Sequence, residues 1–91
     1  MIRHQLKALS TTTPTELTIE DSINSVCTLV IQNIDNAEYV YIGNSSVSSL
    51  NYGFLLYPNQ AFTIELRPYD RIYAVGSATS NVACMSIERS T

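Results

Sequence analysis

Charge is what this chain has least of. Thirteen of its 91 residues are Asp, Glu, Lys or Arg, or 14%, where about 25% is usual. The five basic residues, Arg3, Lys7, Arg67, Arg71 and Arg89, are scattered, and Asp70 sits between the two that lie close. The net charge is −3 and the pI near 4.8. The chain therefore lacks the clustered cations that displace counterions, and no nucleic-acid partner is expected. No apolar run approaches the ~20 residues of a membrane-spanning helix, so no membrane partner is expected either. The opening MIRHQLKALS has no apolar stretch of the kind a secretory signal carries.

The groups that do chemistry are equally sparse. Tryptophan is absent, histidine occurs once, cysteine twice, and glycine and proline three times each. Cys27 and Cys84 are too far apart for a zinc pattern, and no secretory signal points to an oxidising compartment, so free thiols are expected. Gly43, Gly53 and Gly76 are isolated and form no phosphate-cradling loop. Glu20, Asp21, Asp35 and Asp70 do not have the spacing of a calcium loop. His4 could act as an acid–base group only with a partner and a pocket, and a surface position near the N-terminus is the simpler expectation. No catalytic residue, metal ligand or cofactor is assigned, and the protein is not expected to be an enzyme.

What replaces charge is neutral polarity: twenty Ser and Thr and seven Asn. These lie in and between β-type segments. Residues 26–32, 39–42, 62–66, 71–75 and 82–88 are rich in β-branched and aromatic side chains. Turn formers separate them at 33–36, 43–46, 58–59, 68–70 and 76–81. Turn signals every 8–12 or so residues predict an all-β fold, a small antiparallel β-sandwich or jelly-roll-like barrel of about 7–8 short strands in a single domain. Residues 26–88 would form its core, and residues 1–13 an N-terminal arm or edge strand; a short helix over 5–9 would be too short to hold alone.

Alternation assigns the faces. Phe62, Ile64 and Leu66 fall on one side of their strand, with Thr63 and Glu65 on the other. Cys27, Leu29 and Ile31 share a face opposite Val26, Thr28 and Val30. Both of those faces are apolar, so this strand is expected to be central or covered twice. Residues 82–88 place Ala83, Met85 and Ile87 together. By that parity Cys84 would point away from the core that takes Cys27, which weighs further against a disulfide.

Tyrosine is the remaining signal. It brings apolar area and one hydrogen-bonding tip, a combination that interfaces favour. Tyr39 and Tyr41 share a strand face if 39–42 is extended, leaving Val40 and Ile42 for the core; capping of the sandwich rim is the plainer role. The loop from Gly43 to Gly53 is long for a link between two strands, carries no charge, and has Val47 and Leu50 as anchors. The expected interface residues are Tyr39, Tyr41, Asn44, Val47, Leu50, Asn51 and Tyr52, with Ile2, Arg3 and Leu6 of the N-terminal arm. Asn44, Asn51 and Tyr52 could alternatively form a sugar platform.

The run LVIQNIDNAEYVYIGNSSVSSLNYGFLLYPNQAFTIELRPYDRIYAVGSATSNVACMSIE, about residues 26–88, resembles small β-sandwich virion proteins of tailed bacteriophages. It has their order of a VTIQN-type strand, a VYIG strand, a Ser-rich loop, an aromatic-Gly-aromatic-Leu step, a TIEL strand and an LYAV-like strand. Where those proteins have a Pro-Gly turn before TIEL, this chain has Pro58-Asn59, and Asn can take the same left-handed position. The resemblance implies a non-enzymatic structural role in the virion. Capsid decoration or cement protein is the first expectation, with a glycan- or receptor-binding module of a head fibre or tail as the alternative. It further implies binding to the major capsid protein or another virion protein, a homo-oligomer with a trimer favoured, and assembly in the host cytoplasm.

Overall fold

The computed structural model describes residues 2–19 and 25–88. Within them, eight strands follow in order: β1 (Ile2–Leu9), β2 (Thr15–Glu16), β3 (Cys27–Asn33), β4 (Val40–Gly43), β5 (Phe54–Leu56), β6 (Ala61–Leu66), β7 (Tyr73–Gly76) and β8 (Ser80–Glu88). They form two four-stranded antiparallel sheets, A in the order β1-β8-β3-β6 and B in the order β2-β7-β4-β5. β1 pairs with β8, β2 with β7, β3 with β6 and β4 with β5. The chain is thus one long hairpin folded at the β4–β5 loop and then rolled, with β3–β8 and β4–β7 pairings closing the roll. That is the jelly-roll form of a β-sandwich.

Between the sheets lies a core of Leu9, Leu17, Cys27, Leu29, Ile31, Val40, Ile42, Leu56, Leu66, Ile72, Ala74, Val82 and Cys84. Strand alternation delivers these side chains, every second residue pointing inward. Phe54 on β5 and Phe62 on β6 meet with ring centroids 4.3 Å apart and close the gap between the sheets on that flank. The faces expected for residues 62–66 and for Cys27, Leu29 and Ile31 are those observed. β3 is an interior strand, flanked on both sides.

One expectation is corrected. Val82, Cys84 and Ser86 point into the core, whereas Ala83, Met85 and Ile87 face out. Cys84 therefore shares the core with Cys27. The sequence of β8 is apolar on both faces, and only its register with β3, in which Ile31 pairs with Cys84, decides which face is inside. The thiols are free, but the reason is distance: Cys84 lies opposite Ile31, four residues from Cys27, or about 13 Å along the strand, beyond the reach of a disulfide. Of the two readings of the N-terminus, an arm or an edge strand, the edge strand is the one observed: Ile2–Leu9 pairs along its whole length with β8.

Backbone hydrogen bonds stitch one end of the sandwich. Gly76 donates to the Ser10 carbonyl, Ser77 to that of Tyr39, Asn33 to that of Gln60 and Asn59 to that of Asp35. The wholly buried Asn33 amide binds this end from within. Its Nδ2 donates to the carbonyls of Glu38 at 2.7 Å and Tyr57 at 3.2 Å, and its Oδ1 accepts from the Asp35 amide at 3.1 Å. Asn59 takes a φ of 62°, so the Pro58-Asn59 turn uses the left-handed conformation expected of it. At Gly76 a Cβ would stand 2.5 Å from the Ala78 carbonyl oxygen, so only glycine fits.

Asn33→Ala is expected to cost about 2 kcal/mol, since it orphans buried carbonyls; urea denaturation would measure it. Removing the buried Ser86 hydroxyl, which has no hydrogen-bond partner, should be neutral or stabilising by up to about 1 kcal/mol in Ser86→Ala. Burial pushes the Cys84 thiol up from 9.0 to about 11, against the opposing charge of Lys7. The folded state thus holds a proton that the unfolded chain releases earlier, and this contribution is present below pH 9 and lost as pH rises toward 11. Thermal melts across that window should show the decline, and it should vanish in Cys84→Ala.

Candidate interaction surfaces

Register fixes what each sheet shows to solvent, because Cα partners point to the same side. On the outer face of sheet B, Tyr41 lies between Leu55 of β5 and Val75 of β7, and Tyr73 lies between Gly43 and Glu16. Tyr39 and Tyr57 continue the alternation beyond the strand ends, their rings meeting edge to face at 5.4 Å. Tyr52 returns from the β4–β5 loop to lie against Tyr41, with ring centroids 5.1 Å apart. Five of the six tyrosines thus share one face. Val75, on that same face, is wholly buried yet lies outside the intersheet core, so sheet B carries a second, shallow apolar layer on its outside.

The β4–β5 loop is held by its own hydrogen bonds. Asn44 Oδ1 accepts from the Ser46 amide and hydroxyl, Val47 donates to the Asn44 carbonyl, and Ser48 and Asn51 exchange backbone bonds. Val47, 3% exposed, plugs the loop against the sandwich, where its Cγ2 sits against Gly43. It is an anchor and not a contact residue. Leu50, expected to be the second anchor, is 95% exposed at the loop tip. The Ser48–Asn51 bridge turns the chain there and leaves Leu50 with nothing to pack on. The second exposed tip at this end is Tyr69, with a φ of 69°. It is the third residue of a turn closed by the Asp70 amide on the Arg67 carbonyl and by the Arg67 amide on the Asp70 carboxylate.

Sheet A has a different outer face. Its rows read Ile2–Ile87–Thr28–Glu65, then His4–Met85–Val30–Thr63. Leu6–Ala83–Gln32–Ala61 follows. Ile2 and Leu6 are 64% and 63% exposed. Arg3, expected among the contact residues, points to the opposite, core-facing side, where its guanidinium meets the Glu88 carboxylate at 3.4 Å. The face neighbours of His4, namely Met85, Ile2 and Leu6, supply neither a carboxylate nor a hydroxyl. Among the described residues, no three His, Cys, Asp or Glu side chains come together as a metal site, and no helix is long and apolar enough to cross a membrane.

The ten expected interface residues therefore divide. Tyr39, Tyr41, Asn44, Asn51 and Tyr52 gather on or beside the outer face of sheet B, with Leu50 at the loop tip beyond them. Ile2 and Leu6 lie on the outer face of sheet A, while Val47 and Arg3 belong to neither. Tyr57 and Tyr73 on the outer face of sheet B, and Val30, Met85 and Ile87 on that of sheet A, lie on the same faces without being among the ten; the apolar second faces of β3 and β8 carried the signal for the last three.

No family model and no curated protein matches the chain. Among solved structures, a protein of Bacillus endospore appendages, described as a novel family of disulfide-linked pili, is similar over 98% of this chain and 89% of its own. The identity is 9% and the TM-score 0.48, a likeness that assigns no function.

Val47→Ala should cost about 1–2 kcal/mol by opening a cavity under the loop. Leu50→Ser should change stability by no more than about 0.5 kcal/mol, as an exposed site does. Paired thermal melts would separate the anchor from the tip.

Proposed function

We propose that this protein is a non-enzymatic structural component of a bacteriophage virion, a decoration subunit seated on the head shell. The observation that carries the proposal is the outer face of sheet B. Five tyrosines gather there beside a loop without a single charge, so covering the surface strips water from few ions. Such a face meets the major capsid protein at modest cost, and many copies on one shell add their contacts. The resemblance of residues 26–88 to phage virion modules supplies the identity of the partner.

Particles assembled without the protein should release their genome at a lower temperature and survive osmotic shock less well than complete particles. Equal survival would remove the cementing role. A Tyr41→Ser, Tyr57→Ser double variant, folded by circular dichroism, should fail to bind the bare shell.

A second role, glycan or receptor binding in a head fibre or tail, is favoured by the exposed Tyr52 ring, with Asn51 beside it in sequence and Asn44 at the start of the same loop. Binding on a glycan array that disappears in Tyr52→Ala, together with no affinity for the shell, would select it.

A further inference from the structure

The geometry points to a second surface of different purpose: the outer face of sheet A is where two copies of this chain pack sheet to sheet about a two-fold axis. In a half-buried antiparallel sheet the outward positions are polar. On β6 they are, with Thr63 and Glu65. On β1 and β8 they are apolar in all three rows except at His4: Ile2, Leu6, Ala83, Met85 and Ile87 face outward, and the three rows hold one formal charge, at their margin. Four strands about 4.8 Å apart and about seven residues of strand length make a footprint of roughly 450 Å². With side-chain relief this reaches the scale of about 600 Å² per partner at which specific interfaces begin.

The occupant is a second copy because the face complements itself. Face-to-face packing of identical sheets requires the two-fold axis to lie in the interface. An axis running across the strands exchanges the first and third rows. Ile2 then meets Leu6, the large Ile87 meets the small Ala83, Thr28 meets Gln32 and the marginal Glu65 meets Ala61, while His4, Met85, Val30 and Thr63 lie along the axis, each facing its own copy. Large against small and polar against polar is how facing layers interdigitate. An axis along the strands would instead set Ile2 on the Glu65 carboxylate. Each copy also carries a net charge of −3, and this face brings together almost none of it. The resemblance implies a trimer; a flat self-complementary face is closed by two.

Sedimentation equilibrium of the isolated protein should give twice the chain mass of 10.1 kDa. Met85→Glu, at a solvent-facing position, should keep its far-UV spectrum and melting transition while raising the concentration for half-dimerisation at least about a hundredfold, because it buries an unpaired charge. Leu50→Glu, at the distant loop tip, should leave the dimer unchanged. A monomer at all concentrations, a trimer, or a dimer indifferent to Met85→Glu would each overturn the proposal. No shell is present in the measurement, so its outcome is independent of whether the tyrosine face binds one.

Discussion

The pairing of β3 with β8 is the constraint on which the rest of the molecule depends. β8 joins the N-terminal strand to the centre of sheet A, and its register against β3 decides which of two apolar faces is interior. A slip of one residue would send Met85 and Ile87 inward and Val82, Cys84 and Ser86 out. The interior favours the observed choice by volume. Sheets packed face to face stand about 10 Å apart, and β3 and sheet B already project Leu29, Ile31, Ile42 and Leu56 into that space. Small side chains from β8 complete the packing where larger ones would overfill it.

The rolled topology distributes its hydrogen bonds unevenly. At the end where β3 leaves and β8 begins, the loops are bound to one another through Ser10, Tyr39, Asp35, Gln60 and the Asn33 amide. At the opposite end, the β4–β5 and β6–β7 turns close largely on themselves, the ties there including Leu17 and Thr18 to Ile72. Rigidity at one end and self-sufficient tips at the other leave Leu50 and Tyr69 free to project without loosening the core.

Much of this was legible in the sequence where alternation was clean. Residues 62–66 could be faced correctly because Thr63 and Glu65 are polar, and residues 39–42 because tyrosine and aliphatic side chains alternate. The Pro58-Asn59 turn was readable from the tolerance of Asn for a positive φ. Legibility failed where two faces were alike. The parity of β8 needed a pairing partner that lies some fifty residues earlier in the chain. The N-terminal segment could be read only as an arm or an edge strand, because its partner lies at the far end of the sequence, Ile2 opposite Ile87. Leu50 was misjudged for a related reason: hydrophobicity predicts burial only where the chain supplies a surface to bury against.

That failure of parity is itself informative. A strand whose two faces are both apolar is either covered on both sides or leaves oily surface in water. β3 and β8 are both interior strands, and their outward Val30 and Ile87 are half-buried while Met85 is exposed. The outer face is most apolar along β8 and is interrupted by His4 on β1, while the charges of that flank, Arg3 and Lys7, turn to the inner side. Inward-pointing charge on an edge strand opposes pairing of another strand along that edge, so the flank discourages edge-to-edge growth while leaving its flat side uncharged.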